Sequence, residues 1–220
     1  MDYKQYKHVS FDLWMTLIRS NPGFKQKRAG LFRDYFEIQR SLEDVQLSVR
    51  KFDVLVNEIN ESIGRNVDTF ELYILILNDL GVDHKKYTLA DFNAFYAHTE
   101  HLFREYRPEP IIDKLPFRLE DLHAASITMN ILSNTGFIRG HTLRELLDHY
   151  GLGQYFTFQI YSDEACISKP NPLIFDKVYE EISKTTIFDK KQILHVGDNP
   201  RADFNGARTY GFSAYLLENQ

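Results

Sequence analysis

The sequence predicts an α/β protein: a Rossmann-like, doubly wound parallel sheet core carrying an inserted α-helical bundle. Three observations predict it. Short apolar runs alternate with helical patterns over residues 126–217, and such alternation implies parallel strands with helices on both faces. One strand-like run, "HVSFDL" at 8–13, stands far upstream. Between the two, residues 20–107 repeat apolar residues every three or four positions and show no strand pattern. The expected division is therefore 1–19 and 108–220 for the core, and 20–107 for the helical insert.

Residues 8–13 read as the first strand. In the insert, "KQKRAGLFRDYFEIQR", "EDVQLSVRKFDVLVNEINESIG", "DTFELYILILNDLG" and "TLADFNAFYAHTEHLFREY" each carry helical spacing. Gly64 and Gly81 mark two helix ends, and Asp68 and Thr88 two N-caps. "ELYILILNDL" is apolar nearly all round, which places that helix at the centre of a bundle. "RPEP" at 107–110 reads as a linker. Beyond it come a strand at 126–133, a helix at 141–151, a strand at 156–162 and a helix at 172–183. A strand at 192–198, a helix at 201–211 and a last strand at 213–217 complete the series.

Composition narrows the function. With 43% hydrophobic and 14% aromatic residues, the chain is rich enough in core formers to fold. A net charge of -5 offers a nucleic-acid partner no bulk attraction. The single cysteine, Cys166, excludes an internal disulfide framework and a cysteine-based zinc site. The first ten residues are polar, unlike a signal peptide, and no apolar run is long enough to span a bilayer. The expectation is a soluble protein of a reducing compartment, most simply the cytoplasm, with no membrane partner. No sequence feature specifies an oligomeric state.

Ligands of open α/β sheets bind at the carboxyl ends of the strands. Chemistry is therefore expected just after residues 12, 132, 162 and 197. The first place holds Asp12 and Thr16. The second holds Ser133, Asn134, Thr135 and Gly136, the third Lys169, and the fourth Asp198 with Asp203 five residues on. A carboxylate at a strand end can attack phosphorus and form an aspartyl-phosphate. Ser133 and the N–H groups that follow it can hold phosphate oxygens. A lysine can neutralise charge on nucleophile and phosphoryl group alike. Asp12 and Asp198 together can hold Mg²⁺, a hard cation that prefers carboxylate and water oxygens. Taken singly, each residue is an ordinary cap, turn or loop lysine. Their joint order, each after an expected strand, is what points to metal-assisted phosphoryl transfer.

Four segments, "FDLWMTL", "LSNTG", "SKPNPLIF" and "HVGDNPRADFNGA", resemble the four motifs of the haloacid dehalogenase (HAD) superfamily of hydrolases. The resemblance extends over the whole chain, including a helical cap inserted after the first motif. It implies that Asp12 is nucleophile and metal ligand, and that the main-chain carbonyl of Trp14 is a second ligand. It implies that Ser133, with Asn134 beside it, binds phosphate and that Lys169 bridges nucleophile and phosphate. Asp198 would bind Mg²⁺ directly, Asp203 would support the metal site, and Thr16 would steady the loop after Asp12. The departure is Trp14. Phosphatases of the family usually carry there a second Asp that protonates the leaving oxygen and then activates water. An indole N–H can donate a hydrogen bond but cannot titrate, and losing a general acid–base typically costs about 10²–10⁴ in rate.

Three readings follow. The first is a Mg²⁺-dependent phosphatase of a small phosphorylated metabolite with an altered proton step, favouring acyl or aryl phosphates. His98 and His101 stand on a cap helix and are candidates for the missing acid, although a helix histidine is ordinarily a surface residue. The second is a 2-haloacid dehalogenase, since the family's dehalogenases carry tyrosine at the position of Trp14. Against it, Phe175 stands where those enzymes resemble one another in a tyrosine, and the phosphatase form of the fourth motif is kept in Asp198 and Asp203. The third is a weakly catalytic member that binds a phosphorylated ligand or a protein, with Trp14 as a stacking surface or a simple space-filler. In "NPGFKQKR" (21–28) the Pro-Gly suits a turn or hinge. Lys25, Lys27 and Arg28 offer positive charge to an anionic substrate, but a solvated helix start is the preferred reading. Phe92, Phe95 and Tyr96 are expected to pack within the cap.

Overall fold

Strand β1 (His8–Phe11) lies at the middle of a parallel sheet. It pairs on one side with β4 (Thr128–Ser133) and on the other with β6 (Ile193–Gly197). β5 (Phe158–Tyr161) and β7 (Ser213–Leu216) form the edges, so the order is β5-β4-β1-β6-β7. The computed structural model describes residues 3–217. Among them no helix is long and apolar enough to cross a membrane.

Side chains of a strand alternate between faces, and β1 uses the alternation unequally. Val9 and Phe11 join Met129, Ile131, Leu194 and Val196 under Leu122 of α5 (Leu119–Ala124) and Leu143 and Leu147 of α6 (Gly140–His149). The opposite layer contains Leu132 and Ile193, packed with Ile174, Phe175 and Val178 of α8 (Pro172–Ser183) and Ala207 of α9 (Gly206–Tyr210). Yet its centre is polar: His8, Ser10, Asn130 and His195 are all buried, and Ser10 sits in register with both Asn130 and His195. Buried polar groups are tolerated when paired, and these are. His8 meets Asn130 Oδ1 at 2.8 Å and Thr128 Oγ1 at 2.7 Å, and His195 Nδ1 meets Ser10 Oγ at 3.0 Å.

The insert supplies α1 (Pro22–Tyr35), α2 (Leu42–Ile63), α3 (Thr69–Asp79) and α4 (Leu89–Glu105). Their shared core is aromatic: the ring of Phe95 meets Phe32, Phe36 and Tyr73 at 5.2, 4.9 and 5.0 Å. Asp68 and Thr88 are N-caps with complete capping boxes, as their spacing to Glu71 and Asp91 allows. Asn21-Pro22-Gly23 is not a hinge. Asn21 caps α1 by accepting from Gly23 N at 2.9 Å, and Pro22 opens the helix, where a missing N–H is harmless. α3 is not buried all round either. Leu72, Tyr73, Ile76 and Leu77 face inward, whereas Glu71 and Asn78 are exposed.

A two-strand ribbon and one short helix carry no readable sequence signal. β2 (Ile18–Arg19) and β3 (Glu109–Pro110) form a two-residue antiparallel ribbon at the root of the insert, closed by Arg19 and Glu109 at 2.7 Å. "RPEP" is therefore partly strand, and two residues are too few for a period to show. α5, at six residues, is too short for a helical period to show. A third segment differs in kind. The helix expected at 201–211 opens with a π-helical turn, Pro200–Asn205, before α9.

The insert docks on the sheet through main-chain acceptors. The carbonyl of Gly64 accepts from Asn171 Nδ2 at 3.0 Å and from Ser168 N at 3.3 Å, and Thr69 Oγ1 donates to Gly136 O at 2.7 Å. Gly64 caps α2 at φ 68°, and a Cβ there would lie 2.8 Å from the Asn171 side chain. Gly81 has a similar φ, 77°, with open space around it. Gly81→Ala should thus cost about 1–2 kcal/mol, the price of a left-handed alanine, and Gly64→Ala distinctly more. Equal urea midpoints for the two variants would show that the Asn171 contact is not part of the fold's stability.

Candidate active site

The strand order reverses at β1, and a crevice opens at the carboxyl ends of the strands where such a reversal occurs. Asp12 follows β1 there, Asp198 follows β6, and the turn 133–136 follows β4. Lys169 arrives from the loop between α7 (Ser162–Ala165) and α8. Asp203 comes from the π-helical turn.

Lys169 joins these pieces. It is only 1% exposed. Its ammonium donates to Asp12 Oδ1 at 2.7 Å, Asp203 Oδ1 at 2.6 Å and Leu132 O at 2.6 Å. An ammonium has three donors, so all are committed to the protein. Asn134 fixes the lysine's main chain from both sides: its Nδ2 donates to Lys169 O at 3.0 Å, and Lys169 N donates to its Oδ1 at 2.8 Å. Asp203 is held as firmly. Its Oδ1 also meets His195 Nε2 at 3.1 Å, and its Oδ2 accepts from Asn199 N at 3.0 Å. Gly197 makes this approach possible, because a Cβ there would overlap the Asp203 carboxylate.

One ammonium thus serves two carboxylates, with a third, Asp198, close to both. Burial, the largest influence, pushes Asp12 up to about 7; the Lys169 charge opposes the rise, and Asp203 and Asp198 add to it. Burial acts on Asp203 in the same direction, but the Lys169 charge and the His195 hydrogen bond outweigh it and hold that carboxyl below its ordinary range. Burial also disfavours the charge on Lys169, and its two carboxylate partners more than restore it. Asp12, Asp198 and Asp203 can each present an oxygen within 4.8 Å of the others. Such a dense set of hard anionic oxygens suits Mg²⁺. Asp203 already accepts through both oxygens, which fits a supporting role. Among the described residues nothing donates to Asp12 Oδ2.

A cavity of about 350 Å³ stands over this cluster. Asp12, Lys169, Asp198, Asp203, Asn134 and Trp14 all line it, so six of the residues expected from the sequence converge. Two do not. Ser133 is buried off the cavity surface, and its hydroxyl donates to Asn134 O at 3.2 Å. Thr16 is fully buried, and its hydroxyl has no hydrogen-bond partner among the described residues, so it does not steady the loop by a side-chain bond. Thr135, itself buried, and Gly136 line the cavity from that turn. Thr135 is pinned from behind, donating to Asp163 Oδ1 at 2.8 Å. Trp14 is half-buried and packs its ring edge-on to Phe103 at 6.5 Å.

The insert forms the opposite wall. α2 offers Asp53, Asn57 and Glu61, whose four-residue spacing sets them on one helix face. Glu61 accepts from Asn199 Nδ2 at 2.7 Å, next to Asp198. α1 contributes Phe24, Lys25 and Arg28. The solvated helix start holds for Lys25 and Lys27, which are exposed, but not for Arg28, which is buried. His98 and His101 are exposed on α4 and do not line the cavity, so neither stands where the missing acid would act. Phe92, Phe95 and Tyr96 are core residues of the insert, and Tyr96 also accepts from Arg139 N at 2.9 Å. The sequence reading missed His195, Asn199 and the acidic face of α2. Strand alternation in "ILHVG" and the i, i+4 repeat in α2 were the available signals.

These shifts have a sign. Asp12 binds its proton more tightly in the folded chain, near 7, than at its ordinary 3.8. Its contribution to stability is therefore complete below about 3.8 and lost as pH rises through about 7. His8, pushed down to about 4 by burial, works the other way and is lost as pH falls below 6.5 towards 4. The informative quantity is thus the difference between wild type and Asp12→Asn in EDTA. Wild type should lose thermal stability relative to the variant from pH 4 to pH 7.5, and parallel profiles would refute the raised Asp12. Lys169→Met should destabilise the fold by about 3–5 kcal/mol, since it leaves two buried carboxylates unpaired; denaturant titration at pH 7.5 checks this.

Comparison with known proteins agrees with this fold. The family model for haloacid dehalogenase-like hydrolases matches residues 6–211. Phosphoglycolate phosphatase of Vibrio parahaemolyticus is 25% identical over 217 residues, covering 99% of this chain and 86% of that enzyme. (S)-2-haloacid dehalogenase 2 of Pseudomonas sp. (strain CBS-3) is 31% identical over 94 residues, 43% of this chain. The chain spans only 30% and 38% of the length of two curated relatives it matches, the dehalogenase among them. Among solved structures, the magnesium-bound HAD-hydrolase YfnB of Bacillus subtilis superposes with a TM-score of 0.66 at 17% identity, covering 98% of this chain and 90% of that one. The chain belongs to the family of haloacid dehalogenase-like hydrolases.

Proposed function

We propose that this hydrolase is a Mg²⁺-dependent phosphatase of a small phosphorylated metabolite, with residues 20–107 as a cap over a core of 1–19 and 108–220. The observation that carries the reading is the cluster itself: three carboxylates that can bring oxygens within 4.8 Å of one another, two of them bound to a buried lysine. Displacing halide from carbon requires only a nucleophile and a pocket for an anion, whereas excess negative charge beside the nucleophile calls for a cation. Asp12 and Asp198 would hold Mg²⁺ with the main-chain carbonyl of Trp14. The ion would supply charge neutralisation for an incoming phosphoryl group.

The residues then act in sequence. An Asp12 carboxylate oxygen attacks phosphorus, forming an aspartyl-phosphate as the bond to the leaving oxygen breaks. Water next attacks the aspartyl-phosphate, gives up its proton to solvent, and releases inorganic phosphate and free Asp12 carboxylate. Lys169 and Asp203 keep the nucleophile aimed; the N–H groups of Asn134 and Gly136 would donate to phosphate oxygens, since that of Thr135 is taken by Ser162 Oγ at 2.8 Å. Ser133 could join them only by giving up its bond to Asn134 O. Trp14 cannot protonate the leaving oxygen, so acyl and aryl phosphates, whose leaving groups depart as anions, are the favoured class. The supply of a proton for alkyl esters would fall to solvent.

A second reading, hydrolytic dehalogenation of a 2-haloacid, is favoured by Trp14 and by the similarity to a 2-haloacid dehalogenase. There Asp12 would attack carbon, halide would leave, and water would cleave the resulting ester. The deciding assay is phosphate release from acetyl phosphate and p-nitrophenyl phosphate, and chloride release from 2-chloropropionate, each with Mg²⁺ and with EDTA. Phosphate release that needs both Mg²⁺ and Asp12 is expected, and Asp12→Asn with wild-type activity would end the nucleophile assignment. Trp14→Asp should raise turnover of an alkyl phosphate by about tenfold or more, towards the 10²–10⁴ that general acid–base catalysis contributes. An unchanged or lower rate in that variant would mean the proton step is supplied elsewhere.

A further inference from the structure

Arg28 is an anomaly in the cap. It is 7% exposed and lines the cavity over Asp12. Its Nε is buried without an acceptor, and among the described residues its guanidinium makes no hydrogen bond and no ion pair. Asp53, the acid whose charge most favours it, pairs instead with Arg50 at 3.4 Å. A buried charge is ordinarily paired, because desolvation without compensation is costly. What holds Arg28 is aromatic: its guanidinium carbon lies 3.6 Å from the ring centroid of Phe137 and 5.4 Å from that of Phe24. Cation–π contact stabilises the charge in place. It occupies the flat face of the guanidinium and leaves the N–H edge for a planar acceptor.

We infer that Arg28 is a substrate-specificity residue that binds a carboxylate on the body of the substrate, making the substrate a small phosphorylated carboxylic acid. This rests on the phosphatase reading for the other half of the molecule. Lys169 has no donor left for a second anion, and Lys25 is exposed to water. Arg28 is thus the buried cation of the cavity with its donors uncommitted. A guanidinium edge matches a carboxylate in a two-point contact. Charge also selects a monoanion. Asp53 and Glu61 line the α2 wall nearby, so a single negative charge balances Arg28 where a second phosphate would add repulsion. A volume of about 350 Å³ admits a compound of few heavy atoms. Phe137 belongs to the core and Arg28 to the cap, so the anion would bind where the two meet.

The test compares phosphoglycolate with 2-hydroxyethyl phosphate, and 3-phosphoglycerate with glycerol 1-phosphate, as substrates of wild type, Arg28→Met and Arg28→Lys. Wild type should prefer the acid of at least one pair by about tenfold or more in kcat/KM, the worth of one charge-assisted hydrogen bond. Arg28→Met should bring that ratio to near one, and Arg28→Lys should keep part of it. Binding without turnover separates the two ideas: calorimetry with 3-phosphonopropionate against propylphosphonate should show the same preference and the same loss. That preference in a protein that hydrolyses neither these esters nor acetyl phosphate nor p-nitrophenyl phosphate would uphold Arg28 and overturn the phosphatase reading. Hydrolysis with equal ratios in wild type and Arg28→Met would do the reverse. Arg28→Met should also melt no lower than wild type, since it removes an unpaired buried charge; a large drop in Tm would assign Arg28 to packing and overturn the inference.

Discussion

The buried Lys169 ammonium is the constraint on which the rest of the site depends. Its three donors reach β1 through Asp12, the end of β4 through Leu132 O, and the π-helical turn through Asp203. Three segments distant in sequence are fixed to one nitrogen. The polar strip beneath supports the arrangement: Ser10, His195 and Asp203 are linked in series to that same lysine. This explains why the centre of an otherwise apolar sheet carries histidine and serine. Each group of this strip has a partner, and the chain of partners ends at Asp12. Such networks have value only when every member is satisfied, which is why Asn134 and Gly197 matter although neither carries charge.

The same constraint defines what the site lacks. Committing the lysine entirely to protein acceptors leaves an excess of carboxylate, which burial converts into a raised Asp12 rather than a stable anion. A divalent cation answers that excess more directly than a proton does. Trp14 belongs to a different balance. It contributes apolar area against Phe103 where a titrating group would stand in the related phosphatases. On the proposed phosphatase reading the site is strong in electrostatics and poor in proton transfer, and the favoured class of leaving group follows from that imbalance.

The cap has two kinds of wall over this centre. α2 presents acid and amide groups along one face, and α1 presents a cation stacked on aromatic rings. The α2 wall is set in place by the contact of the Gly64 carbonyl with Asn171 and by the Asn199–Glu61 hydrogen bond at the cavity's edge. The insert thus sets a buried cation and a row of acid and amide groups over the carboxylate cluster.

Much of this was legible in the sequence, because the signals are local. Helix periods in the insert, capping boxes at Asp68 and Thr88, the strand–helix alternation after residue 126 and four polar strand ends need only neighbours along the chain to be read. They determined the α/β class, the helical insert and the meeting of Asp12, Lys169, Asp198 and Asp203. The tertiary structure alone decided the rest. Whether Ser133 faces the cavity or its neighbour's carbonyl depends on a rotamer set by packing. Whether Asn134 meets phosphate or clamps Lys169 depends on a loop 35 residues away. Arg28 looks like one more charge at a helix start until Phe137, 109 residues on, is seen to cover it. Burial, pairing and charge balance are properties of what surrounds a side chain, and those surroundings are assembled from parts of the chain that share no local signal.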